Sequence, residues 1–120
     1  MGGVGSICDE LLAEHAALPQ VIRRNPELAP YVDCAKPHVW EVTGHVTFGA
    51  DEPYPGGDHF HQVTTDGCRA LFAAKVRTGV PGLIPSNLGI TRLDWAAGDR
   101  TVTCIATRTG SRPITGSVLK

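Results

Sequence analysis

The alternation between His38 and Phe48 limits what this chain can fold into more than any other feature. His38, Trp40, Val42, Gly44, Val46 and Phe48 interleave with Val39, Glu41, Thr43, His45 and Thr47. A period of two is the pattern of a strand buried on one side. It predicts a strand over residues 38–48. The first set forms its core face. The second faces solvent, a pocket or a subunit interface. Such a strand needs sheet neighbours and a layer over its apolar face.

The rest of the chain offers both. Residues Thr65 to Thr78 read as a helix, with Cys68, Leu71, Phe72 and Val76 as its apolar stripe. Ala70, Ala73 and Ala74 are small, so a sheet can approach closely. Thr64 or Thr65 is the N-cap, Asp66 lies in the first turn, and Gly79 and Pro81 end the helix. Three more strands are expected at about 88–95, 100–108 and 113–119. Ala97-Gly98-Asp99 and Gly110-Ser111-Arg112 are the turns between them, and short turns imply antiparallel neighbours. Ser6, with Asp9 three residues on, predicts a cap for an N-terminal helix whose stripe is Ile7, Leu11, Leu12, His15 and Leu18. Pro19 bends or ends it. The reading is α+β: an antiparallel sheet wrapped around one central helix, with an extra N-terminal helix.

At 120 residues the chain is one domain, 1–120, long enough to bury a core without staples. A net charge of −1, three lysines and a single basic pair, Arg23-Arg24, exclude a phosphate-tracking surface, so no nucleic acid is expected. No apolar run is long enough for a bilayer, and no membrane association is expected. The leader has no secretory pattern, although Met1-Gly2-Gly3-Val4-Gly5-Ser6 fits the short myristoylation pattern. Cys8, Cys34, Cys68 and Cys104 are scattered, with no C-x-x-C pair. A reduced cytoplasmic protein is expected. Two disulfides in a secreted domain are the alternative.

Chemistry concentrates in Gly57-Asp58-His59-Phe60-His61-Gln62-Val63-Thr64-Thr65-Asp66-Gly67. If this segment is extended, His59 and His61 point to one face and suit acid–base work near neutral pH. Both also fit a surface loop. Asp66 in a first helical turn would lie beside the amides of Gly67 and Cys68, which could hold an oxyanion while the carboxylate orients water. Ordinary helix capping accounts for the same aspartate. His15, His38 and His45 read as structural, and Glu41 could reach a dimer pocket. Ser86-Asn87 reads as a pocket edge or a turn.

The element order over residues 38–119 resembles the hotdog fold, whose members are mostly acyl-thioester enzymes. Asp58-His59-Phe60-His61 before the helix is similar to the Gly-His-Phe segment of the fatty-acid dehydratases and of the mycobacterial-type acyl-CoA thioesterases. Leu93-Asp94-Trp95, Ala97 to Val102 and Arg112 to Gly116 resemble the closing strands. The dehydratases carry a helix carboxylate where this chain has Leu71-Phe72-Ala73-Ala74, which favours hydrolysis. The resemblance implies a thioesterase with Asp66, His59 and His61 as catalytic groups and Gly67 and Cys68 as substrate-binding amides. It implies an acyl-thioester substrate whose CoA or acyl-carrier phosphopantetheine is the only cofactor-like part, no metal, and a homodimer or homotetramer. Two other readings stand beside it. One is a cupin-like barrel with His59, His61 and His45 on a metal. The other is a non-catalytic or cyclase-like module that binds a small molecule.

Overall fold

The computed structural model describes residues 6–9 and 32–120. Four strands form one sheet: β1 (Ile7–Cys8), β2 (Trp40–Thr47), β3 (Leu83–Leu88) and β4 (Thr101–Arg108). Two helices accompany it, α1 (Gly57–Lys75) and the short α2 (Arg92–Ala96). The spatial order is β1-β2-β4-β3. β1 runs parallel to β2, and the other two pairings are antiparallel. The fold is therefore α+β, but its sheet is mixed rather than wholly antiparallel.

The helix expected to start at Ser6 does not start there. Ile7 and Cys8 lie in strand register with Trp40 and Glu41, so their backbone groups serve the sheet. The rest of that expected helix, His15 included, lies outside the described residues, as does the myristoylation pattern up to Gly5.

β2 appears where the alternation places it, and His38 continues it through a bridge to Ile114. The alternation, however, is broken. A bulge between Val42 and Gly44 inserts one residue, so Val42 faces Ile105 while His45 faces Thr103. Trp40, Val42, His45 and Thr47 thus share one face. Glu41, Gly44 and Val46 share the other, the face that carries α1. Gly44 suits the bulge, because a Cβ there would meet Leu71 Cδ1 of α1 at 3.0 Å.

α1 begins at Gly57, not at Thr65. Tertiary packing draws the earlier residues into the helix. Phe60 stacks on Phe48 at 5.2 Å between ring centroids, and Phe60 and Val63 join Tyr54 around the buried group Phe48, Ile90, Trp95 and Val102. Further along, Gly67 lets the helix touch β2: a Cβ there would come within 2.6 Å of Val46 Cγ2. At the next residue, Cys68 is joined to Cys104 of β4, with Cα atoms 5.2 Å apart.

The strand expected at 88–95 is displaced. β3 lies earlier, and Leu93-Asp94-Trp95 falls inside α2. Thr91 and Asp94 form a reciprocal capping box, with Asp94 N donating to Thr91 Oγ1 at 3.0 Å and Thr91 N to Asp94 Oδ2 at 2.8 Å. Pro85 fits β3 because β3 is an edge strand. Residues 113–119 form no continuous strand. They touch down through Ile114 on His38 and Leu119 on Val76. Ile114 and Val118 bury with Val76 and Ala106, so this segment straps the sheet near the end of α1.

Candidate functional site

α1 and the edge strand β3 leave a groove of about 460 Å³ between them. His61, Thr65 and Arg69 line it from the helix, spaced four residues apart and hence on one face. Ile84, Ser86 and Asn87 line it from the strand, with Cys68 and Pro85 completing the wall. The His61 ring lies 3.5 Å from Thr65 Oγ1. Ile84 keeps 45% of its surface exposed. The groove thus presents one cation, several hydrogen-bonding groups and one apolar contact. Among the described residues no strand pairs with the outer side of β3.

The residues singled out in the sequence separate here. His59 and His61 are helical rather than extended, so two residues turn their rings to roughly opposite sides. Both are exposed, and only His61 reaches the groove. Asp66 is exposed in the middle of α1. The Gly67 and Cys68 amides belong to the interior of the helix, where N–H groups bond the carbonyls four residues back. The helix N-terminus that was to hold an oxyanion lies instead at Gly57. Gly67 packs on Val46, and Cys68 is a disulfide partner. The structure therefore brings His61, Cys68, Ser86 and Asn87 together and leaves His59, Asp66 and Gly67 apart.

A second cluster was not foreseen. His38 and Glu41 are both fully buried, and His38 Nε2 meets Glu41 Oε1 at 2.8 Å. His38 Nδ1 donates to the Lys36 carbonyl at 2.7 Å, which fixes the ring with Nε2 towards Glu41. The other carboxylate oxygen accepts from Ser117 Oγ at 2.7 Å, and Val118 N–H donates to both oxygens at 3.1 Å. Burial pushes the Glu41 carboxyl up, but the hydrogen bonds from His38, Ser117 and Val118 and the His38 charge outweigh it and hold it below its ordinary value. The sequence did carry a signal: Glu41 interrupts the apolar run Val39-Trp40-Val42. Period two alone puts Glu41 on the second face, towards solvent, a pocket or a subunit interface, and says nothing of His38 beside it.

Cys8 lies against this pair. The Cys8 sulfur, a His38 ring nitrogen and a Glu41 oxygen all fall within 4.8 Å of one another. Among the described residues this is the group with metal-ligand spacing, not His59, His61 and His45 as in the cupin reading. Cys8 is bonded to Cys34, with Cα atoms 5.0 Å apart. All four cysteines are thus paired, against the expectation of a reduced chain. Among the described residues no helix is long and apolar enough to cross a membrane.

A family model described as "Septum formation" matches residues 14–110, the greater part of the chain. No curated protein and no solved structure matches. The matched family is different from the hotdog thioesterases and dehydratases. It overturns that resemblance, and the acyl-thioester hydrolase reading with it. Of the short motifs that carried the resemblance, Asp58-His59-Phe60-His61 and Leu93-Asp94-Trp95 lie in helices.

Proposed function

This chain belongs to the septum formation family, and on that premise we propose that it serves cell division as a disulfide-stapled binding domain outside the reducing cytoplasm. The family match carries the reading. The pairing of all four cysteines supports the compartment, since disulfides persist where the surroundings are oxidising. This reading places the chain outside the cytoplasm, where the sequence alone suggested a cytoplasmic protein.

The groove between α1 and β3 supports a binding role and suggests what it binds. An edge strand offers backbone donors and acceptors to an extended peptide, and side-chain contacts beside it supply selectivity. Arg69 favours an acidic segment, His61 offers a ring nitrogen for a hydrogen bond, and Ile84 gives an apolar anchor. The partner in this reading is an extended, acidic stretch of another protein of the division site.

The test is depletion of the protein in its own cells, followed by complementation. Depletion should give elongated cells with missing or misplaced septa, and the wild-type chain should restore division. Ile84→Asp and Arg69→Glu, at equal abundance, should fail to restore it. Normal septa after depletion would sink the division role. Full rescue by both variants would sink the groove assignment alone. Thiol labelling of intact cells tests the compartment: blocked cysteines support it, and four free thiols reject it.

A further inference from the structure

We propose that the Cys8–Cys34 corner is a redox-gated zinc site, in which the opened cysteines join His38 and Glu41 as ligands. The side chains are of the type and spacing that Zn²⁺ takes. Cys8, His38 and Glu41 place a sulfur, an imidazole nitrogen and a carboxylate oxygen within 4.8 Å of one another, all buried. Cys34 is bonded to Cys8 but stands outside that group of three, so its sulfur turns in as the fourth ligand only once the bond has opened. Two thiolates, one imidazole and one carboxylate make a four-coordinate set suited to zinc.

The surroundings are already arranged. In a tetrahedral zinc site the ligand atoms stand roughly 3.3–3.8 Å apart, given metal–ligand bonds of about 2.0–2.3 Å. His38 Nε2 and Glu41 Oε1 are 2.8 Å apart, so they must separate by only about half an ångström for the ion to enter between them. The bond from His38 Nδ1 to the Lys36 carbonyl leaves Nε2 as the coordinating nitrogen. Ser117 and Val118 hold the Glu41 carboxylate from behind. Supports of this kind orient ligands in established zinc sites.

The disulfide is the gate, because sulfurs bonded to each other cannot act as thiolate ligands. Cys34 keeps 7% of its surface exposed and Cys8 none. A dithiol reductant therefore attacks the Cys34 sulfur. The S–S bond breaks, a mixed disulfide forms on Cys34, and Cys8 leaves as thiolate beside His38 and Glu41. The reductant's second thiol then displaces Cys34. The reductant ends as its own disulfide, and both electrons reside on the two cysteines. Zinc binds the pair with release of the remaining thiol protons and of any proton shared by His38 and Glu41. A disulfide-bearing oxidant reverses the exchange: it takes the two electrons, leaves as a dithiol, restores the Cys8–Cys34 bond and so expels the ion.

The test uses the full chain, a water-soluble phosphine as reductant, and Zn²⁺ or Co²⁺ as the probe. Native mass spectrometry counts the metal, and differential alkylation maps which cysteines are open. The expected result is one ion per chain only after Cys8–Cys34 opens, with Cys8 and Cys34 shielded from alkylation. Co²⁺ should give a thiolate charge-transfer band and the d–d bands of a tetrahedral site. His38→Gln and Glu41→Gln should each weaken binding at least tenfold, and reoxidation should release the metal. If His38→Gln does not fold, Glu41→Gln decides, since its amide still accepts from Ser117 and Val118. The proposal is overturned if the reduced chain takes up no metal at micromolar concentration. It is equally overturned if binding is unchanged in Glu41→Gln, which would mean the cysteines alone capture the ion.

Discussion

The Cys68–Cys104 disulfide joins α1 to β4, and its removal should act mainly on the unfolded chain. The bond closes a loop of sequence separation 36. Loop-closure entropy for that length corresponds to about 4 kcal/mol at 25 °C. Replacement by Cys68→Ala/Cys104→Ala should therefore lower stability by about 3–4 kcal/mol. Unfolding entropy of about 2.1 cal/mol/K per residue amounts to about 250 cal/mol/K for 120 residues. The midpoint should then fall by about 15 °C. Urea unfolding gives a second readout. Without the crosslink the unfolded ensemble expands and exposes more surface, so the m-value should rise as the midpoint falls. A loss below about 1 kcal/mol, or a fall in stability with unchanged m, would refute the account. The second bond, with separation 26, closes a shorter loop and should contribute about 3.5 kcal/mol by the same argument. Losing both removes about 7 kcal/mol, comparable with the whole stability of many domains.

Three further outcomes follow from single sites. Glu41 titrates lower in the folded chain than in the unfolded one, so its contribution is complete above the ordinary value of 4.5 and disappears as pH falls through the folded value. Acid titration followed by tryptophan fluorescence should show the wild type losing stability below about pH 5, and Glu41→Gln should have a flatter acid limb though a lower plateau at neutral pH. An equally steep acid limb in the variant would assign the loss to other carboxylates. Gly67→Ala places a methyl 2.6 Å from Val46 Cγ2, and overpacking of about 1–3 kcal/mol should exceed the helix-propensity gain of about 1 kcal/mol. Chemical denaturation should show a net loss that Val46→Ala partly restores. Thr91→Ala removes half of the capping box on α2 and should cost about 1 kcal/mol, measured in the same way.

Local chemistry made some elements legible and others not. Thr101–Arg108 forms a strand as its β-branched residues predict, and the alternation around Trp40–Thr47 places β2 correctly. Thr91 and Asp94 spell a capping box, but Leu88, Ile90, Leu93 and Trp95 around it also fit a strand. The start of α1 was hidden because Pro53, Pro55, Gly56 and Gly57 read as a loop continuing to Asp58, while the pull on Phe60 comes from Phe48 and Trp95 elsewhere in the chain. Of the candidate site, His61, Cys68, Ser86 and Asn87 were noticed, but nothing in their spacing said that they share a groove. Arg69 and Ile84 gave no signal at all.

By itself the sequence determined the elements whose residues interact with near neighbours: one long strand, a helix with a small-residue face, and a final strand bounded by turns. Those choices depend on periodicity and backbone preference, which act over a few residues. Only the tertiary structure decided the sheet order, the bulge that turned Glu41 inward, the pairing of Cys8 with Cys34 and Cys68 with Cys104, and the burial of His38 against Glu41 and Val118. Each joins residues that periodicity does not pair, many of them tens of positions apart. An inserted residue, a crosslink or a buried charge is fixed by what lies across the core, and that neighbour is not written next to it in the chain.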